Sequence, residues 1–178
     1  MKDYATGQLR NVVLLGHGSA GKTSLAEAML VASGAINRMG AVEDGSTVAD
    51  FDEEEIRRHI SLSLALIPVE WKGCKVNVLD TPGYTDFVGE VKSATRVADL
   101  ALILVDAVSG VEVGTELVWN YADEQKLPRV AVVNKMNREN ASLDRPLNAL
   151  REAFDARVGI GEQEPDDGEE RRYVSVGE

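Results

Sequence analysis

Apolar positions along the chain change period several times, and each change marks an element. Asn11–Leu15 is a short, nearly unbroken apolar run of the length of a buried strand. From Thr23 the apolar positions Leu25, Ala28, Met29 and Ala32 recur at helical spacing, and Ser33-Gly34 closes that helix. Residues 34–59 carry no apolar period and much charge. Ile60–Trp71 and Cys74–Leu79 flank Lys72-Gly73, the pattern of a β-hairpin. Leu62, Leu64 and Leu66 alternate with Ser61, Ser63 and Ala65, which predicts a strand with its leucine face buried. Asp86–Val97 reads as a helix with Phe87, Val88, Val91 and Ala94 inward. Leu100–Val105 is continuously apolar, as in a strand covered on both faces. Val113–Lys126 is a helix on Leu117, Val118 and Tyr121, and Arg129–Val133 is the next strand. A last helix runs from Asp144 to about Arg157 on Leu147, Leu150 and Phe154, with Pro146 in its first turn, where the missing N–H costs little.

Strands and helices therefore alternate, with one hairpin. The expected fold is α/β, a three-layer sandwich whose mostly parallel sheet carries one antiparallel strand. Residues 1–10 form a lead-in, 11–158 the domain, and 159–178 an acidic tail. Tyr173–Val176 is a candidate sixth strand in a tail whose composition equally suits disorder.

The chain has 178 residues, enough for one domain with a real core. Its net charge of −11 argues against a broad nucleic-acid footprint. The acidity is concentrated at Asp50–Glu55 and Glu162–Glu170, and the 34–59 segment taken alone reads as a solvated surface loop. Cys74 is the single cysteine, which suits a reducing cytoplasm. The N-terminal stretch has no apolar signal segment, and no apolar run approaches the length of a membrane span, so a cytoplasmic protein without membrane contacts is expected.

Chemistry enters at Gly16-His17-Gly18-Ser19-Ala20-Gly21-Lys22-Thr23, which has the spacing of a phosphate-binding loop and lies between a strand and a helix. Glycines let the backbone fold around an anion, successive N–H groups point inward, and the helix adds its positive end. Lys22 would reach the outer phosphates, Thr23 would bind Mg²⁺, and Ser24 follows in the same first turn. Asp80-Thr81-Pro82-Gly83 stands directly after an apolar strand. There an aspartate orders the metal shell indirectly, and the Gly83 N–H approaches a terminal phosphate. Asn134-Lys135-Met136-Asn137 also follows a strand, at the sheet end where ligands bind in open α/β folds.

In this order the three motifs resemble those of a GTPase. Asp80–Val88 and Val105–Val111 are similar to translational GTPases. The stretch from Asp44 to Gly73 is similar to the elongation factor G branch, and within it to the elongation-factor-G-like paralogues. The resemblance covers about residues 9–158 of a family whose members are much longer. It implies a phosphate-loop NTPase fold binding GTP or GDP with Mg²⁺, and the ribosome as a possible partner. It makes 34–59 a switch that closes over the phosphates, with Ser61 where a threonine usually binds Mg²⁺ and His59 where glycine is usual. It assigns catalysis to Lys22, Gly83 and Tyr84, and the base to Asn134, Lys135 and Asn137.

Several positions depart from the family pattern. Asn137 replaces the aspartate that accepts hydrogen bonds from guanine. Tyr84 replaces the histidine that positions the attacking water, and Gly18 replaces the bulky residue that gates it. Ser19 stands where aspartate is frequent, and Ser175-Val176 is the one candidate for the motif that backs the base. Two functional readings follow: a slow, partner-stimulated GTPase, and a GTP-binding sensor or placeholder that hydrolyses little. A third is a fragment with neither activity.

Overall fold

The computed structural model describes residues 2–154, 157–163 and 171–177. Strands β1 (Leu9–Gly16), β2 (Ala65–Trp71), β3 (Cys74–Asp80), β4 (Leu100–Asp106) and β5 (Arg129–Asn134) carry the central sheet. Helices α1 (Lys22–Ala32), α2 (Glu53–Arg58), α3 (Val88–Val97), α4 (Val113–Glu124) and α5 (Asp144–Phe154) connect or follow them. β1 pairs in parallel with β3 and β4, β4 in parallel with β5, and β2 antiparallel with β3. Two more strands, β6 (Arg157–Gln163) and β7 (Arg171–Gly177), complete the order β2-β3-β1-β4-β5-β7-β6. β7 runs antiparallel to both β5 and β6. The candidate strand at Tyr173–Val176 thus lies within β7, and β6 carries strand structure across position 158 into the stretch read as a tail, through Gln163. Residues 164–170 of that tail lie outside the described residues.

β1 shows why the sheet is buried on both faces. Leu14 joins a cluster with Ala26 and Leu30 of α1, Ile67 and Val69 of β2, and Val78 of β3. Val13 and Leu15, pointing the other way, join Val91 and Ala94 of α3, Val118 and Trp119 of α4, and Leu147 and Leu150 of α5. Alternation across a covered strand makes the three layers. Phe154 stacks on Trp119 with ring centroids 4.0 Å apart, clamping α5 to α4.

Four details differ from the periodicity. In β2 the buried face is Ala65, Ile67 and Val69, while Leu66 is 63% exposed. The strand starts only at Ala65, so the leucine alternation begun at Leu62 has no sheet to face. Pairing of Ile67 with Val78 sets the opposite phase. β2 is an edge strand, which accommodates Pro68. In α1 the inward stripe is Ala26 and Leu30, with Ala28 and Ala32 exposed, because Glu27 takes an inward position. Val88 is partly exposed because a 3₁₀ turn over Thr85–Phe87 precedes α3. α2, which no apolar period announces, is capped by Asp52 and Glu55 in a reciprocal box.

Candidate functional site

The carboxyl ends of β1, β3, β4 and β5 meet at one rim of the sheet. Register places Leu14 of β1 beside Asp80 of β3, Gly16 of β1 beside Leu104 of β4, and Asp106 of β4 beside Asn134 of β5. All three sequence motifs leave the sheet at that rim. Above it opens a cavity of about 330 Å³, lined by the phosphate loop, Ser24, Thr81, Gly83, Tyr84, Lys135 and the 42–61 segment. Such a volume admits a nucleotide-sized ligand.

The phosphate loop runs from Gly16 into α1. Lys22 is 6% exposed and donates to the carbonyls of Gly16 and His17, both at 3.1 Å. Burial pushes its ammonium down to about 8, while Asp80 acts in the opposite direction. Gly83 crosses directly over this point. A Cβ there would lie 2.5 Å from Lys22 Nζ and 2.7 Å from the Gly18 Cα, so only glycine lets the turn approach the loop. Thr81 does a different job: its hydroxyl donates to the Leu14 carbonyl at 2.6 Å and ties β3 to β1. Pro82 beside it is buried.

Thr23, Asp80 and Ser61 come together in a chain of oxygens. The Thr23 hydroxyl donates to Asp80 Oδ2 at 2.7 Å and lies 3.2 Å from the Ser61 hydroxyl. Ser61 in turn donates to Asp50 Oδ1 at 2.7 Å. Asp80 is buried, and its Oδ1 has no hydrogen-bond partner among the described residues. Burial raises its carboxyl to about 6, with the Thr23 hydroxyl and Lys22 pulling it down. Hard oxygen donors around an orphaned carboxylate oxygen fit Mg²⁺. No cluster of three or more His, Cys, Asp or Glu able to hold a metal exists among the described residues. This agrees with an ion that takes few protein ligands and completes its shell with phosphates and waters.

The charged 34–59 segment does not behave as a solvated loop. Glu27 on α1 is fully buried and accepts the N–H of Gly40 at 2.9 Å and of Val48 at 2.6 Å. Glu55 on α2 is 2% exposed and accepts the N–H groups of Asp52, Leu62 and Ser63. Asp50 is buried against Thr47 and Ser61. Three carboxylates therefore replace the apolar core face that the segment lacks. His59 has φ 54° and ψ 39°, the left-handed conformation that glycine favours. Its ring Nδ1 lies 3.0 Å from the Val42 carbonyl.

On the far side, Asn134 donates to the Ala20 carbonyl at 2.9 Å and Lys135 donates to that of Ser19. The Asn134–Asn137 motif is thus tied to the phosphate loop. Asp106 Oδ2 pairs with Lys135 Nζ at 2.9 Å and Arg138 at 3.5 Å, while Oδ1 accepts from Val108 and Ser109. Burial raises its carboxyl, but Lys135 and these two N–H groups outweigh it and leave it near about 2. Met136 and Asn137 are exposed. Ser175 lies in β7, opposite Val130.

Residues 7–175 match the Elongation factor Tu GTP binding domain. The chain belongs to this family. It is 43% identical over 152 residues to "Elongation factor G-like protein" of Mycobacterium tuberculosis, covering 85% of this chain and 21% of that protein. It is 44% identical over 144 residues to "Elongation factor G 2" of Streptomyces coelicolor, covering 81% of this chain and 21% of the relative. "Ribosome-releasing factor 2, mitochondrial" of Rattus norvegicus is 41% identical over 150 residues, or 84% and 19% of the two chains. A crystal structure of a protein from Thermus thermophilus superposes with a TM-score of 0.80 at 34% identity, covering 93% of this chain and 28% of that one. The chain spans about a fifth of the length of these curated relatives. The family is that of the elongation-factor-G-like translational GTPases, and the phosphate-loop fold is theirs.

Sequence reasoning did not single out Glu27, Asp50, Glu55 or Asp106. Glu27 had one usable signal: it lies four residues after Thr23, on the same face of α1. Asp50 and Glu55 sit in an acidic cluster, where nothing local separates a buried carboxylate from a solvated one.

Proposed function

We propose that this chain binds GTP with Mg²⁺ and hydrolyses it to GDP and phosphate, as its family does in general. The observation that carries the reading is the meeting of Lys22, Gly83 and the Thr23–Asp80–Ser61 chain at the carboxyl end of the sheet, beneath one cavity. Lys22 and the loop N–H groups from Gly16 to Thr23 bind the phosphates, and the Gly83 N–H meets the terminal one. Thr23 and Ser61 would hold Mg²⁺, with the unpartnered oxygen of Asp80 beside them. The ion would neutralise charge on the outer phosphates during transfer. Asn134 and Lys135 position the loop against the base, which Asn137 would contact. Lys22→Ala should abolish most triphosphate affinity, because it removes a charge-assisted contact. Titration calorimetry measures this, and equal GTP affinity in the variant and the wild type would show that the site is misassigned.

A specific observation supports the second reading, a GTP-bound sensor or placeholder with little hydrolysis. Tyr84, at the water-positioning place, is 43% exposed and touches the phosphate loop at Gly18. A phenol hydrogen-bonds a water but cannot carry the charge that an imidazole can. A positioned proton-transfer group is worth about 10²- to 10⁴-fold in rate, and part of that should be missing. Names of relatives such as the ribosome-releasing factor make the ribosome the partner to test. Single-turnover hydrolysis of wild type, Tyr84→His and Tyr84→Ala, with and without ribosomes, separates the readings. Strong stimulation of the wild type that is lost in Tyr84→Ala would make the tyrosine a working catalytic substitute and exclude the sensor.

A further inference from the structure

Gly18 is the one glycine of the loop whose neighbour is an aromatic ring. A Cβ built on it would lie 3.2 Å from Tyr84 Cζ, 3.3 Å from Cε1 and 3.5 Å from Cε2. The hydroxyl end of the ring therefore rests on bare backbone. Gly18 does not have the left-handed φ that demands glycine, in contrast to Gly16 and Gly21. What glycine supplies at position 18 is space, and the ring fills it.

The ring's position relative to the cavity gives this contact a consequence. Tyr84 and Gly18 both line the cavity, next to Lys22 and Gly83. Gly83, the residue before Tyr84, approaches Lys22 and Gly18 within one Cβ's reach, so the ring and the Lys22 end belong to the same part of the cavity wall. The groove behind Tyr84, between α3 and α4, holds about 20 Å³, room for a water but not for a phenol ring.

We propose that Gly18 and Tyr84 work as one unit, a seat and a lid: the ring, bedded on Gly18, closes the terminal-phosphate end of the cavity and slows release of a bound triphosphate. This rests on the reading that the cavity binds GTP. Gly18 is then a specificity-determining position rather than a missing side chain. The lid distinguishes tri- from diphosphate, because a diphosphate does not reach the part of the cavity it covers. A Cβ at 18 would push the ring by a few tenths of an ångström, and a branched side chain would displace it further.

Release of fluorescent GTPγS and fluorescent GDP, each with Mg²⁺, tests this by stopped-flow displacement. The proteins are wild type, Gly18→Ala, Gly18→Val, Tyr84→Ala, Tyr84→Phe and the Gly18→Val/Tyr84→Ala pair. Tyr84→Ala and Gly18→Val should each speed GTPγS release about tenfold, the loss of roughly half an aromatic face of packing. The pair should be no faster than either alone, since each removes the same contact. GDP release should speed less than GTPγS release in each variant, Tyr84→Phe should keep slow release of GTPγS, and Gly18→Ala should lie between. Additive effects in the pair, or equal acceleration of GDP, would overturn the proposal, as would fast release from Tyr84→Phe. Tyr84→Ala leaves the loop backbone intact, so the test survives misfolding of the Gly18 variants. A wild type that retains neither nucleotide would instead overturn the GTP-binding reading and the lid with it.

Discussion

Asp80 and Lys22 show what a site of this kind costs at the scale of single residues. Each is buried, and burial shifts each toward its neutral form: Asp80 up to about 6 and Lys22 down to about 8. For Asp80 the folded state holds its proton more tightly than the unfolded chain does. Stability of the metal-free protein should therefore fall as pH rises from about 4 to about 6, and the deficit persists at neutral pH. For Lys22 the order reverses, and stability recovers as pH rises from about 8 toward 10.5. Asp80→Asn should then make the protein in chelator about 1–3 kcal/mol more stable at pH 7.5, a gain that disappears near pH 4. Denaturant melts at the two pH values measure it, and the same variant should lose Mg²⁺-dependent nucleotide affinity. Asn137 makes a second residue-scale prediction. Restoring a carboxylate by Asn137→Asp should tighten GTP relative to xanthosine triphosphate by about 10- to 150-fold, the worth of a charge-assisted pair. A competition assay with an unchanged preference would remove Asn137 from the base site.

At the scale of elements, the 34–61 segment is held mainly by carboxylates, with Ala49 and Ile36 its contribution to the apolar cluster under β2. Phe51 and Val48 point outward at 72% and 52% exposure, while Glu27, Asp50 and Glu55 are buried. Glu27 reaches from α1 to two N–H groups on either side of the Asp44–Gly45 turn. Glu27→Ala would remove the partner of both part-buried N–H groups, at about 1 kcal/mol each. Hydrogen exchange at Gly40 and Val48 should rise sharply, and the segment should become the first proteolytic cut. Glu54 is the control: it pairs with Arg57 and Arg58 on the exposed face of α2, where solvent screens the pairs, and Glu54→Ala should leave exchange at Gly40 and Val48 near wild type. Similar exchange rates in the two variants would mean that the segment is held by something other than Glu27.

At the scale of the whole molecule, the buried charges Lys22, Asp80 and Asp106 gather at one rim, while the two faces of the sheet are apolar. The parts of the molecule are linked through that rim: Asn134 and Lys135 of the β5 end reach the phosphate loop, and Ser61 of the 34–61 segment reaches Thr23. A ligand that engages this rim should stabilise the molecule as a unit. At 100 times its dissociation constant, Mg²⁺–GDP should add about 2.7 kcal/mol to unfolding, and Lys22→Ala should lose most of that. Thermal melts with and without nucleotide check it, with ATP as the comparison ligand.

How much of this was legible beforehand depends on whether a feature is local. Gly16–Thr23 between a strand and a helix, Asp80–Gly83 after a strand, and Asn134–Asn137 after another are local patterns. Their residue types and spacing specify the sheet end on which they lie. The apolar runs at Asn11–Leu15 and Leu100–Val105 likewise carry their own burial, because a strand covered on both faces must be apolar throughout. The phase of β2 was not local: which of its alternating sets faces inward is decided by pairing with β3. The burial of Glu27, Asp50 and Glu55 was not local either. A carboxylate becomes a core residue only when folding brings backbone N–H groups to it, and those come from segments 7 to 21 positions away for Glu27 and Glu55. Gly18 and Tyr84, far apart in the chain, show the same division. The residue types alone leave position 18 bare and give position 84 a ring, whereas laying the ring on the glycine took the folded chain. Composition and spacing act along the chain, whereas packing and desolvation act through space.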